Sequence, residues 1–244
     1  MSESPKRLLV RSARLEDIPS IREVMQASYP RGVELYTAGM LRGQINRFAD
    51  GQFVAEYDGK VVGYCASFRV GGDRALAQHT WHDITGQGYA SRHDPKGDYL
   101  YGLEVFVHPD YRRHRIGQRF YTRRKQLCRD LNLEGIVFGG RIPGLKRRRK
   151  QVESAEDYVG KVRDGQLRDP VLSFQLRQGF ELLGVLREYS DEDPESMGHA
   201  SHLLWRNPHC RREQEVPRGA GPAVIGLPHQ VLSLIHISEP TRPY

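Results

Sequence analysis

Cysteine is scarce in this chain, and long apolar runs are missing. The 244 residues include three cysteines, Cys65, Cys128 and Cys210, an odd number without a Cys-x-x-Cys pair. Such usage is typical of free thiols in a reducing compartment, so we predict a cytoplasmic location. No segment holds the ~18 consecutive apolar residues of a membrane-spanning helix, and the N-terminus lacks the apolar stretch of a signal peptide. The sequence therefore predicts a soluble protein with no membrane partner.

An excess of acidic residues is also absent. The chain has 37 Lys and Arg against 30 Asp and Glu, which gives a net charge of +7. This balance favours phosphate-bearing or polyanionic partners but says little about the fold. A chain of this length can form one domain of about 200 residues, and its core needs no disulfides.

Regular elements can be assigned along most of the chain. RLLVRSA near the N-terminus reads as a strand, and Ile18, Ile21 and Met25 then recur at helical spacing. A second helix is predicted in ELYTAGMLRGQINRFAD. Two β-rich runs flank Asp58-Gly59, a dipeptide that favours a tight turn, so QFVAEYDGKVVGYCASFRVGG is predicted to be a hairpin.

Residues 72–97 show no sustained period and are predicted to form a long loop. Their histidines include His79 and His82, but this His-x-x-His pair has no matched second pair and no carboxylate at a recognised spacing. We therefore predict no metal site. A substrate-facing lid is the more plausible function for this loop.

The segment DYLYGLEVFVHPDYRRHRIGQRFYTRRK combines a strand with a basic turn and a helix. Its first part is almost continuously apolar, which predicts a central strand covered on both faces and interrupted by Glu104. Pro109 ends the strand because proline has no amide hydrogen for the ladder. Ile116, Phe120 and Leu127 then recur at helical spacing, so the basic turn leads into an amphipathic helix.

The start of that helix is a candidate anion site. The first turn of a helix leaves amide hydrogens unpaired and carries the positive end of the helix dipole. Gly117 allows close approach to the backbone, and Arg112, Arg113 and Arg115 add positive charge. A pyrophosphate fits these features, and a solvated basic helix face is an equal alternative from the residues alone.

VFVHPDYRRHRIGQRFY also resembles the cofactor motif of the GNAT N-acyltransferases, in which a strand ending in Val-x-Pro leads into an Arg/Gln-x-x-Gly-x-Gly/Ala turn and a helix. The resemblance covers residues 7–207, including RLEDIPSI, EGIVFGG, VLSFQLRQGF and HLLWRN. It implies an α/β fold with a mixed, mostly antiparallel central sheet, splayed central strands and flanking helices. It also implies acetyl-CoA as the acyl donor.

In that family the pantetheine arm pairs with the splayed central strand, and backbone amides of the turn hold the pyrophosphate. The resemblance therefore places the pantetheine edge at Val105 and Val107. It places the phosphate turn at Arg112, Arg113, His114, Arg115, Ile116, Gly117 and Gln118. Arg115 departs from the motif, because it stands where the first glycine usually lies.

Acyl transfer to an amine needs a group that takes the amine proton and a group near the leaving sulfur. Glu104 is the best-placed carboxylate for the first role, and pairing with a neighbouring arginine is its structural alternative. Many GNAT enzymes place a tyrosine near the sulfur, four residues before a Gly-Phe pair. The matching residue here is Gln175, which cannot donate a proton as an acid. Water or another tyrosine must then act there, or the activity is weak.

A second basic run, LKRRRKQ at residues 145–151, is predicted to be a solvated loop, because no aromatic residue is interleaved for base stacking. We therefore do not expect nucleic acid as a partner. A basic nucleic-acid-binding domain nevertheless remains an alternative class for the whole protein.

The two ends of the chain are predicted to lie outside the domain. Residues 1–6 are predicted to be flexible, residues 7–207 to form the GNAT domain, and residues 208–231 to form a linker rich in Pro, Gly and charge. LSLIHISEPTR at 232–242 resembles a translated sequencing adapter, so residues 232–244 are predicted to be an artefact and disordered. The sequence also resembles GNAT domains that precede a carbon-nitrogen hydrolase domain, and the natural chain is expected to continue into one.

Together these features predict an N-acyltransferase that moves acetyl from acetyl-CoA to a small-molecule or protein amine by direct attack in a ternary complex. Arg115 and Gln175 favour one alternative, a CoA-binding regulatory module without turnover. The identity of the amine is not encoded in any motif.

Overall fold

The computed structural model describes residues 7–29 and 36–211. The predictions for residues 1–6 and 232–244 lie outside the described residues, and so does most of the predicted linker. Residues 208–211 are described, and there the Arg211 N–H donates to Asn132 Oδ1 at 2.9 Å.

Seven strands of the described residues form one sheet in the order β1-β2-β3-β4-β5-β7-β6. They are β1 (Leu8–Ser12), β2 (Gln52–Tyr57), β3 (Lys60–Val70), β4 (Tyr99–Val107), β5 (Gly135–Gly140), β6 (Glu181–Leu186) and β7 (Ala200–Arg206). Neighbouring strands run antiparallel except β4 and β5, which run parallel. The predicted mixed, mostly antiparallel sheet is confirmed.

Helices flank this sheet on both faces. They are α1 (Ile18–Ser28), α2 (Ala38–Arg47), α3 (Gly72–Ala75), α4 (Trp81–Thr85), α5 (Ile116–Asp130), α6 (Leu145–Arg148), α7 (Ala155–Arg163) and α8 (Leu172–Arg177). Helices α1 and α2 contribute Ile21, Met25 and Leu41 to one hydrophobic core, and α5, α7 and α8 contribute to a second core that includes Phe120. The sheet separates the two cores, so each of its faces is buried against helices.

The hairpin predicted around Asp58-Gly59 is confirmed. Strands β2 and β3 pair from Tyr57 opposite Lys60, and Asp58 and Gly59 have φ values of 49° and 79°. Both residues are left-handed, as a two-residue hairpin turn of this kind requires.

Two predicted loops contain short helices, so the prediction of irregular structure there was partly wrong. Residues 72–97 include α3 and α4, and the basic run at 145–151 begins with α6. Each of these helices has four or five residues, too few for a hydrophobic period to show in the sequence. Trp81 on α4 packs edge-on against Tyr36, with ring centroids 6.0 Å apart, which anchors the loop to the domain.

Candidate active site

Strands β4 and β5 separate after their first three residues. Residues 99–101 pair with residues 135–137, and the pairing between the two strands ends there. Beyond this point β4 pairs only with β3, and residues 138–140 of β5 pair only with β7. The sheet therefore opens into a slot between its two central strands, which confirms the predicted splay.

Val105 and Val107 lie on the edge of β4 that borders the slot. The His108 N–H donates to β3 at 2.9 Å, and backbone groups alternate sides along a strand. Those of Val105 and Val107 therefore point away from β3 and into the slot. The Val105 N–H is bonded to the carboxylate of Glu104 at 2.8 Å.

A β-bulge in β4 sets the direction of Glu104. Ala66 pairs with Glu104 and Ser67 pairs with Gly102, so Leu103 is an extra residue on β4. The bulge interrupts the alternation of side chains. Leu103 packs in the core beneath α1 and α2, and both Leu103 and Glu104 line a cavity on that face of the sheet.

The carboxylate of Glu104 is held by hydrogen-bond donors. The Tyr36 hydroxyl donates to it at 3.2 Å, beside the bond from Val105. Burial raises the pKa of Glu104, and the hydrogen bonds from Val105, Tyr36 and Tyr29 oppose that rise. In the described part of the chain no arginine forms an ion pair with Glu104. The structural alternative raised from the sequence, a carboxylate neutralised by arginine, is therefore not what these residues show.

The sequence did not single out Arg124 of α5, because an arginine on a helix rich in basic residues is usually exposed. Its side chain is only 2% exposed. The guanidinium donates to the Ser67 hydroxyl at 2.9 Å, to the Ala66 carbonyl at 2.5 Å and to the Glu104 carbonyl at 2.6 Å. Arg124 therefore links β3 to β4 at the bulge, from the face of the sheet that α5 covers.

Replacing Arg124 by methionine is expected to lower the free energy of unfolding by about 2 kcal/mol or more, because buried carbonyls at the bulge lose their donor. Urea unfolding monitored by circular dichroism measures the change. Arg119→Met is the control, since Arg119 is exposed on the same helix and its replacement should cost under ~0.5 kcal/mol. Equal stability of the two variants would contradict the role given to Arg124.

The basic turn after β4 forms a short 3₁₀ segment, Pro109–His114, and α5 begins at Ile116. Arg115 between them has φ 57° and ψ 24°, a left-handed conformation that costs a non-glycine residue roughly 1–2 kcal/mol. The glycine usual in the motif would adopt it freely. The Arg119 N–H donates to the Arg115 carbonyl at 3.2 Å, so the amides of Ile116, Gly117 and Gln118 precede the first intrahelical bond.

Gly117 leaves room for a ligand. A Cβ atom added there would have its nearest neighbour, Phe174, at 3.6 Å, which is an ordinary contact. The fold itself therefore does not require glycine at this position. Arg112 and Arg113 are exposed beside the turn, whereas the His114 ring packs edge-on against Tyr57 at 5.2 Å.

A cavity of about 610 Å³ opens on the Glu104 face of the slot. Aromatic side chains supply part of its wall, and acidic residues of the segment after β6 supply another part. Its lining includes Tyr29, Tyr36, Trp81, Leu103, Glu104, Arg112, Gly139, Arg141, Tyr189, Glu192, Asp193 and Glu195. Arg141 is engaged there by Asp193 at 2.7 Å and by Glu195 at 3.0 Å.

A buried hydrogen-bonded chain runs behind this cavity. The His79 Nε2 lies 2.8 Å from the Tyr101 hydroxyl, which lies 3.0 Å from the Tyr189 hydroxyl. The His79 Nδ1 faces the Ala77 carbonyl at 2.8 Å, so Nδ1 carries the proton and Nε2 accepts from Tyr101. His79 thus has a structural partner on each nitrogen. Within residues 7–29 and 36–211 no group of three His, Cys, Asp or Glu residues could hold a metal ion.

Acidification should destabilise the fold through His79. Burial lowers the pKa of His79 to about 4 from 6.5, so the folded state keeps the imidazole neutral while the unfolded chain protonates it. Stability should therefore fall as the pH drops from 6.5 toward 4, by about 1.4 kcal/mol per pH unit at most. Unfolding free energies measured between pH 7 and pH 4.5 test this, with His79→Gln as the control that should show a shallower slope. Parallel slopes for the two proteins would contradict it.

No described helix is long and apolar enough to cross a membrane. The three cysteines are free thiols, with Cys65 and Cys128 buried. Burial raises the pKa of the Cys65 thiol to about 11, so this thiol is not a nucleophile at neutral pH.

The slot, the bulge and the turn define a member of a known family. Residues 18–140 match the sequence model of the Acetyltransferase (GNAT) family, and the chain belongs to that family. The Bacillus subtilis (strain 168) protein named Uncharacterized N-acetyltransferase YkwB is 30% identical over 203 residues, which are 82% of this chain and 89% of that protein.

Two further proteins are similar to this chain. The protein named Probable hydrolase YhcX, also of Bacillus subtilis (strain 168), is 40% identical over 202 residues, which are 83% of this chain but 39% of that protein. The chain therefore spans less than half of this relative's length. A solved structure, the GphF GNAT-like decarboxylase in complex with isobutyryl-CoA, superposes with a TM-score of 0.70 at 25% identity and covers 82% of this chain and 99% of that one.

Proposed function

We propose that this protein transfers an acetyl group from acetyl-CoA to an amine by direct attack in a ternary complex. One observation carries the proposal. A slot in the sheet has unpaired amides of a helix N-terminus at one end and a carboxylate on a bulge, facing a cavity, at the other.

The residues beside the slot fit an extended phosphate-bearing donor. The amides of Ile116, Gly117 and Gln118 would hold the pyrophosphate at the positive end of α5. Along the edge of β4 that faces the slot, the Val105 carbonyl and the Val107 N–H would pair with the amides of the pantetheine arm, as one strand pairs with another. Arg113 and Arg115 would add positive charge around the phosphates.

On the opposite face, Glu104 would accept the proton of the attacking amine, directly or through a water. Its partly desolvated position raises the pKa of the carboxyl, which makes the carboxylate a stronger base than one in open water. The cavity in front of Glu104 would receive the amine. Tyr29, Tyr36, Trp81 and Tyr189 give that cavity aromatic walls, on which an alkyl or peptide amine can pack.

The test has two steps. Acetyl-CoA is titrated into the protein by calorimetry, and thiol release is then followed with lysine, spermidine, tryptamine and a peptide with a free N-terminus. We expect binding at micromolar concentration or tighter and release that depends on one of these amines. Binding without release would favour the regulatory module. Salt-sensitive binding of DNA or RNA without CoA binding would favour the nucleic-acid alternative.

Removal of a carboxyl group from an acyl-CoA is a second candidate. The likeness at 25% identity to the GphF GNAT-like decarboxylase favours it. In this reaction the bond to the carboxylate breaks, carbon dioxide leaves, and the carbon next to the thioester takes a proton. Incubation with malonyl-CoA distinguishes the two candidates, because only a decarboxylase would turn it into acetyl-CoA.

The expected continuation into a hydrolase domain and the cytoplasmic location stay predictions.

A further inference from the structure

Two side chains border the slot on the face opposite Glu104. Tyr121 of α5 is 5% exposed and packs edge-on against Phe138 of β5 and Phe174 of α8, with ring centroids 6.0 and 5.4 Å apart. Gln175 of α8 lies against Gly140 of β5 so closely that a Cβ atom there would overlap its amide. Both residues therefore flank the part of β5 that has lost its pairing with β4.

Their hydrogen bonding leaves one donor and one acceptor unused. The Gln175 Nε2 lies 3.4 Å from the Tyr121 oxygen, and the amide donates in this contact. The Tyr121 oxygen thus accepts, and its own proton has no acceptor in the described part of the chain. The Gln175 Oε1 is likewise buried without a hydrogen-bond partner. Unsatisfied polar groups that are buried this deeply are uncommon, and here they lie beside an open slot.

We propose that Tyr121 is the acid that protonates the leaving thiolate of CoA, and that Gln175 positions its hydroxyl. This inference rests on the proposed acyl transfer and names the residue that supplies its missing proton. Gln175 occupies the position where many GNAT enzymes have a tyrosine. In this chain the hydroxyl comes from α5 instead, and the amide at position 175 supports it.

Each proton that moves in the reaction has a donor and an acceptor, and the two transfers take place on opposite faces of the sheet. The amine nitrogen bonds to the thioester carbon, and its proton goes to Glu104 on the cavity face. The bond from carbon to sulfur then breaks, sulfur keeps the electron pair, and the Tyr121 proton passes to it. The products are the amide and CoA thiol. The Gln175 amide holds the tyrosinate until solvent returns a proton to Tyr121 and Glu104 releases one.

The surroundings of Tyr121 suit an acid. Burial raises the pKa of Tyr121, so the hydroxyl keeps its proton at neutral pH. Arg124 and the hydrogen bond from Gln175 act in the opposite direction and favour the ionised form once the proton leaves. The Arg124 guanidinium carbon lies 6.0 Å from the centre of the Tyr121 ring. The unpaired Gln175 Oε1 can also accept an N–H of the pantetheine arm.

The test removes one oxygen atom. Tyr121→Phe keeps the ring packing, so we expect the dissociation constant for acetyl-CoA to stay within about twofold while kcat falls ~10²-fold. Rates are measured as thiol release with the fastest amine of the panel named above. Gln175→Leu should lower kcat about five- to tenfold, because it removes one hydrogen bond to the hydroxyl. Tyr99→Phe is the matched control, since that hydroxyl bonds Glu134 at 2.8 Å away from the slot, and kcat should not change.

A rescue variant separates the loss of proton transfer from a packing defect. The double variant Tyr121→Phe, Gln175→Tyr returns a hydroxyl to the same side of the slot. Its kcat should be at least tenfold higher than that of Tyr121→Phe. If the wild-type protein turns over and Tyr121→Phe keeps the wild-type kcat, the assignment of Tyr121 is overturned while the proposed acyl transfer stands. Loss of acetyl-CoA binding in Tyr121→Phe would also overturn it, because the tyrosine would then be structural. If wild-type protein binds acetyl-CoA but releases no thiol with any amine, the proposed acyl transfer fails first.

Discussion

Turnover of acetyl-CoA with an amine is expected to fall ~10²-fold or more when Glu104 is replaced by glutamine. Glutamine keeps the size of the side chain and can still contact Tyr36 and Val105, but it cannot take a proton. The bulge places Glu104 on the cavity face, away from the turn that would bind the phosphates, so acetyl-CoA affinity should stay within about twofold. Initial rates of thiol release at saturating acetyl-CoA, together with a binding titration, measure both quantities.

The pH profile adds a second readout for Glu104. A base must be ionised, and burial raises the pKa of this carboxyl above its usual 4.5. The wild-type kcat should therefore rise with pH through that raised value, and the rise should be missing in Glu104→Gln. Glu23→Gln is the control, because Glu23 is an exposed carboxylate on α1 that does not line the cavity, and its replacement should change kcat less than twofold. A loss of only a few-fold in Glu104→Gln would return the residue to a structural role.

Affinity for acetyl-CoA is expected to fall ~10²-fold or more in Gly117→Glu, which corresponds to about 2.7 kcal/mol of binding free energy. The new carboxylate would stand among the unpaired amides at the start of α5 and would repel the phosphates. The fold should tolerate the change, since the nearest atom to a Cβ at position 117 is 3.6 Å away. Calorimetric titration gives the affinity, and thermal unfolding shows that the variant is folded.

Gly160→Glu is the matched control for that experiment. Gly160 lies on α7 with no atom within 4 Å of a Cβ, so this change adds the same charge and side chain to another helix. Its acetyl-CoA affinity should equal that of the wild type. A folded Gly117→Glu variant that also binds normally would remove the assignment of the phosphate turn.

Features that depend on local sequence could be predicted. The Asp58-Gly59 turn, the apolar strand β4 and the helix after Pro109 each follow from the conformational preferences or periodicity of neighbouring residues. The motif around Gly117 was readable because its residues are consecutive. The mixed sheet and the splay of its central strands came from the family resemblance, since pairing between distant strands leaves little trace in one sequence.

Features that depend on distant contacts could not be predicted. The bulge at Glu104 is fixed by Arg124, which approaches from a helix and bonds carbonyls on two strands. One indication was available, because position 124 falls four residues after Phe120 and three before Leu127 on the buried stripe of α5. Tyr121 and Gln175 are 54 residues apart, and the packing of α8 against α5, in which Phe174 contacts the Tyr121 ring, brings them together.

The central claim is that acetyl-CoA binds in the slot between β4 and β5, with its phosphates at the start of α5. Hydrogen-deuterium exchange with and without saturating acetyl-CoA tests it most directly, because the method reports on the backbone amides that would contact the cofactor. We predict slower exchange in peptides that contain Val105, Val107 and residues 116–118, with little change in β1 or β6. Protection confined to other elements, or no protection at all while calorimetry shows binding, would contradict the location of the site.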